Sequence, residues 1–133
     1  RLKQVNAARS KTKSRYARSR LMGNARTRSN GESAYLYFTQ KITENALYLL
    51  DEPENSLAPA RQLELAGFLQ DAARFFVCQL VIATHSPFLL AMQGAKVYDL
   101  DADPPRPRRW TELENVRAYR QFFADHAAEF ETD

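Results

Sequence analysis

The sequence predicts an α/β fold, with a mostly parallel sheet flanked by helices. Three observations carry that expectation. Leu47, Tyr48, Leu49 and Leu50 form an unbroken apolar run that ends in Asp51, Glu52 and Pro53. Gln79 to Thr84 (Q-L-V-I-A-T) forms a second run, followed by His85, Ser86 and Pro87. Between them lies a segment whose apolar residues recur at helical spacing. Continuous apolar runs of strand length suit strands covered on both faces. Two such strands joined by a helix make a βαβ unit, parallel and with a right-handed crossover.

Composition sets the outer limits. A chain of 133 residues is long enough for one domain with a real core. The single cysteine, Cys78, excludes an internal disulfide framework and points to a reducing, cytoplasmic setting. No apolar run is long enough to span a bilayer. The polar, basic start has no apolar core behind it, so it does not read as a secretory signal. It also lacks an initiator Met, so the chain reads as a processed, truncated or partial product.

Charge divides unevenly. Residues Arg1 to Arg28 carry ten Lys or Arg and no acid, and the remainder carries nine basic and sixteen acidic residues. Residues 1–28 therefore read as a basic, loosely ordered segment. Such an arm could bind nucleic acid or phosphate, but its composition equally suits a solvated polar segment. With Tyr16 as its one aromatic, it lacks the residues of a base-stacking platform.

Residues 29–133 read as one α/β domain without a linker. Ser29 to Ser33 (S-N-G-E-S) opens a helical pattern in which Tyr35, Phe38 and Ile42 share a face. Ser29 and Glu32 have capping-box spacing. The same geometry can bind an anion, because free backbone N–H groups, a hydroxyl and the positive helix end converge there. By itself this segment favours the plain capped helix. Pro53 lacks a ladder donor and should end the first strand. After the loop Asn55 to Ala58, Pro59 suits the first helical position. Leu65, Ala66, Leu69, Ala72, Ala73 and Phe76 form the apolar face of the helix that follows. Phe88 to Gln93 predicts a short helix ended near Gly94, and Lys96 to Leu100 a third strand. Asp101 to Arg109, with three prolines, predicts a loop. Thr111 to Asp125 predicts a closing helix that buries Val116, Tyr119, Phe122 and Phe123.

The residues that carry chemistry stand at the strand ends. Two acids after a buried strand are by themselves as readily solvated as functional. Open α/β sheets bind ligands at the carboxyl ends of their strands, and parallel strands put those ends on one edge. Asp51, Glu52 and His85 should thus face one crevice. That pairing disfavours a merely capping or core role for His85.

The ordered set S-N-G-E-S, A-L-Y-L-L-D-E-P-E-N-S-L and V-I-A-T-H-S-P resembles the carboxyl-terminal half of ABC-class P-loop ATPases. It looks most like the small bacterial AAA-domain ATPases related to the ATPase half of OLD-type nucleases, and more distantly like SMC-type DNA-repair ATPases. The resemblance covers Ser29 to about Tyr98 and implies a partial P-loop NTPase (ABC-type) domain that binds and hydrolyses ATP with Mg²⁺. It implies that Ser29, Gly31 and Glu32 are the signature motif that contacts the ATP of the opposite subunit. Asp51 is then the Walker B acid that holds Mg²⁺ through water, and Glu52 orients or deprotonates the attacking water. Asn55 and Ser56 belong to the D-loop at the dimer interface, and His85 is the histidine that touches the γ-phosphate. A homodimer that sandwiches ATP is the implied partner arrangement, with nucleic acid or an effector protein as a further candidate.

The sequence departs from the family at Asn30, where these ATPases usually have His and transporters Gly, and at Ala58, where Ser or Asp is frequent. A larger departure is that G-x-x-x-x-G-K-[ST] occurs nowhere in the 133 residues. In the family that loop lies upstream. The expectation is half of a nucleotide site, inactive alone and completed by an upstream Walker A segment and a second subunit. The competing expectation is a non-catalytic interaction or DNA-binding remnant of such an ATPase.

Overall fold

The computed structural model describes residues 30–131, with residues 30–35 as helical backbone. The basic segment 1–28 and Ser29 lie outside the described residues. Helix α1 spans Asn30–Lys41 and is followed by strand β1, Leu47–Asp51. The Tyr48 hydroxyl ties the two together. It accepts the Thr43 N–H at 2.7 Å and donates to the Lys41 carbonyl at 3.2 Å. Strand β1 stops at Asp51, two residues before Pro53, as the missing ladder donor predicts.

Helix α2 runs Pro59–Phe75 with Pro at its start, and strand β2 is Gln79–Ala83. The strands pair in parallel, with Leu47 opposite Gln79 and Asp51 opposite Ala83. The predicted βαβ unit is therefore present. Helix α2 buries Leu65, Ala66, Phe68, Leu69 and Ala72, and Phe76 is buried just past its end. Ala73, predicted on that face, is exposed, and Phe68 takes its place. The rings of Phe68 and Phe76 meet edge to face at 6.2 Å. Ile42 completes this core from the end of α1. Each such large side chain contributes about 1.5–3 kcal/mol by leaving water. Cys78 is buried beside it, and its Sγ donates to the Ala72 carbonyl at 3.3 Å.

The expectation of strands covered on both faces is corrected. Leu47, Leu49 and Val81 are exposed, Leu49 at 74%. Their neighbours Tyr48, Leu50, Leu80 and Ile82 are half-buried. Side chains alternate across a strand, and the described helices cover one of the two faces.

The described residues group into two compact units, divided between Leu89 and Leu90 inside the short helix α3, Pro87–Leu90. In the second unit, strand β3 (Tyr98–Asp99) pairs antiparallel with strand β4 (Arg106–Pro107). Two expectations change here. The third strand forms its own ribbon rather than extending a mostly parallel sheet, and the proline-rich stretch expected as loop supplies its partner. The Arg108 guanidinium explains the pairing in part, because it donates to Asp99 Oδ2 at 3.0 Å, and the Arg108 N–H donates to the Val97 carbonyl. The guanidinium hydrogen bond, more than any other influence, holds the Asp99 carboxyl below its usual pKa. A 3₁₀ turn, Trp110–Glu112, follows Arg109, whose backbone carbonyl accepts the Glu112 N–H at 2.9 Å. The Arg109 N–H donates to Glu112 Oε2 at 3.0 Å and lowers the pKa of that carboxyl.

Helix α4, Glu114–Asp125, forms as predicted and is followed by a 3₁₀ turn, Ala127–Phe130, but it does not bury the predicted face. Val116 is buried, whereas Tyr119, Phe122 and Phe123 are about half exposed. The aromatic side chains contact one another along the helix: Phe122 meets Phe123, and Phe123 meets Phe130.

Candidate functional site

Asp51 closes β1, and Glu52 begins the turn beyond it. Glu52 has φ of +44°, a left-handed conformation that costs a non-glycine residue energy. The turn is held there because the Glu52 N–H donates to the Ala83 carbonyl at 2.7 Å, at the end of β2. The strand end that carries the acids is thereby fixed to the strand end that precedes His85. Across that junction His85 Nε2 lies 3.4 Å from Glu52 Oε1. The structure thus brings Glu52 and His85 together at the carboxyl edge of a parallel pair, where the sequence places them. Asp51 stands exposed on the same edge.

Asn55 reaches back to the pair, its Nδ2 donating to Glu52 Oε2 at 3.0 Å. Each Glu52 oxygen therefore faces a different side chain, one an amide and the other an imidazole. Ser56 is exposed and also left-handed, with φ of +67°. Gly31 and Glu32 lie in the first turn of α1, while Ser29 is outside the described residues.

The sequence reading missed three residues. Glu54 is 8% exposed, and its Oε1 accepts the His85 N–H at 3.0 Å. Its other oxygen is buried and has no hydrogen-bond partner among the described residues. Ser86 is buried and donates from Oγ to Gln62 Oε1 at 2.7 Å, and Gln62 Nε2 donates to the Leu57 carbonyl at 2.9 Å. The signal for Glu54 was its place in D-E-P-E, where a third acid directly follows the strand-ending proline. Gln62 carries no such signal, because a lone polar residue in the first turns of a helix usually faces solvent.

Among the described residues, no three His, Cys, Asp or Glu side chains are grouped to hold a metal ion. What Asp51 and Glu52 offer is hard carboxylate oxygen near solvent. That donor set fits Mg²⁺, which keeps several waters and is bound through one or two carboxylates plus substrate phosphates. No helix among the described residues is long and apolar enough to cross a membrane.

Neither the curated proteins nor the solved structures contain a match to this chain. The family model described as "AAA domain, putative AbiEii toxin, Type IV TA system" matches residues 23–91, just over half of the chain, and the chain belongs to that family.

Proposed function

We propose that the chain is the part of an ABC-class ATPase that presents the water-activating and metal-facing acids to ATP. AAA-family membership supports a nucleotide-binding, ATPase-like function of P-loop NTPase type. The observation that carries the finer reading is the Glu52–His85 contact at the carboxyl ends of two parallel strands.

In this reading Glu52 Oε1 orients the attacking water and takes its proton, and Asn55 fixes the other oxygen so that the carboxylate cannot rotate away. His85 offers its ring N–H to the γ-phosphate. Asp51 would hold Mg²⁺ through water, and the ion would neutralise phosphate charge in a reaction that depends on positioning and electrostatics. An upstream Walker A segment cradles the β-phosphate. Ser29, Gly31 and Glu32 of a second subunit close over the nucleotide, with Asn55 and Ser56 at the dimer interface.

The test is Glu52→Gln in the full-length protein. ATP binding should persist and the dimer should accumulate, while kcat falls roughly 10²–10⁴-fold, as for loss of a general base. Turnover equal to that of the wild type rules out Glu52 as the base. Ser29→Ala should weaken ATP-dependent dimerisation more than ATP binding by the monomer. Equal losses of both would leave Ser29 a helix cap.

A further inference from the structure

We infer that Gln62, together with Glu54, is a positioning residue for His85. It clamps the turn that carries the imidazole to the loop that follows Asp51 and Glu52. The inference rests on the ATPase reading above and deepens it.

The His85 side chain is 79% exposed. Packing therefore does little to fix the ring, and its place beside Glu52 depends on how its backbone is held. Among the described residues, these hydrogen bonds help to hold that turn. The His85 N–H donates to Glu54 Oε1, and Ser86 Oγ donates to Gln62 Oε1. The Ser86 N–H donates to Thr84 Oγ1 at 3.0 Å, closing the turn on itself. The first two come from one stretch, the loop after β1 and the first turns of α2. Glu54 and Ser86 are buried, so their bonds are sheltered from competing water and costly to break.

Gln62 has a second attachment. Its Nε2 donates to the Leu57 carbonyl, and Leu57 follows Asn55 and Ser56 in the loop. One amide therefore bridges the loop and the His85 turn. The same loop holds the other member of the pair, because Asn55 donates to Glu52. A displacement of Asn55 to Leu57 would move both members at once, Glu52 through Asn55 and His85 through Gln62 and Ser86. The loop and the pair thus form one mechanical unit.

The test is a double-mutant cycle in the full-length ATPase, combining Gln62→Leu with His85→Ala. Gln62→Leu keeps the side chain's bulk and removes both hydrogen bonds. It should lower kcat roughly 10- to 100-fold, as misplacement of a reacting group does, and leave KM for ATP within about twofold. In the His85→Ala background it should lower kcat no further. Additive losses would overturn the proposal, since Gln62 would then act independently of His85. Gln62→Glu keeps an acceptor for Ser86 and should retain more turnover than Gln62→Leu; equal loss in both also counts against the clamp, and this variant serves if Gln62→Leu does not fold. Should His85→Ala alone leave kcat unchanged, the ATPase reading of His85 fails rather than the clamp. Amide exchange at His85 and Ser86 then decides the clamp by itself: faster exchange in Gln62→Leu supports it, and unchanged exchange refutes it.

Discussion

Residues 30–89 bury Ile42, Leu65, Phe68, Leu69 and Phe76 around α2, and on that base they carry Asp51, Glu52 and His85. Residues 90–131 bury Leu113 and Val116 and brace a two-residue ribbon with the Asp99–Arg108 pair. The first unit rests on apolar area removed from water. The second leans on charge, which responds to pH and salt. The candidate site stands on the unit with the larger apolar core. This suits a site whose groups must be held to within fractions of an ångström.

That contrast can be broken at its strong end first. Leu69→Ala empties a fully buried position and should cost about 2–5 kcal/mol. Urea unfolding of the purified chain measures it, and a loss well below that range would mean the core around α2 collapses to fill the gap. A smaller effect of opposite sign is expected where α2 meets β2. Val77 is exposed and β-branched, yet has φ of +52°. Val77→Asn should raise stability by about 1 kcal/mol, because Asn tolerates the left-handed region. A lower melting temperature would show that Val77 contributes packing its exposure conceals.

The second unit should answer to acid. Arg108 holds the folded Asp99 carboxyl below its ordinary pKa. A lowered folded pKa gives stability that is full above the unfolded value and is lost as pH falls through the folded value. Far-ultraviolet circular dichroism during acid titration should therefore show residues 90–131 loosening below the ordinary carboxylate range. Arg108→Ala should raise the midpoint of that loosening, and an unmoved midpoint would remove Asp99 from the account. The smallest effect is expected at the exposed aromatics. Phe123→Ala should change stability by no more than about 0.5 kcal/mol, and a large loss would mean that the Phe122–Phe123–Phe130 contacts brace the unit.

What the sequence discloses is what local signals determine, and what it hides depends on contacts between distant residues. Leu47–Asp51, Pro59–Phe75 and Gln79–Ala83 were readable because apolar period and proline position act locally, and the Glu52–His85 meeting follows from parallel pairing. The exposed face of β1 and β2 was not readable, because a run of leucines looks the same whether one face or two are covered. Ribbon pairing through Arg106–Pro107 was hidden by prolines that normally mark loops, and it depends on Arg108 reaching Asp99, a contact without a local signature. The half-exposed Tyr119, Phe122 and Phe123 sit at helical spacing from Val116, so periodicity assigned all four to one buried face. Gln62 was hidden for another reason: its importance lies in what it bridges, Leu57 and Ser86, which are 29 positions apart in the chain.

Cys78 gives the α2–β2 junction a built-in chemical clock. It is the chain's one thiol, it is buried, and burial raises its pKa. The thiolate is the species that alkylating reagents attack, so the closed junction should be nearly inert to them. Labelling must wait until the end of α2 lifts from β2, and its rate then reads the frequency of that opening. The junction that leads into the strand before His85 can thus be timed without attaching a probe to Glu52 or His85.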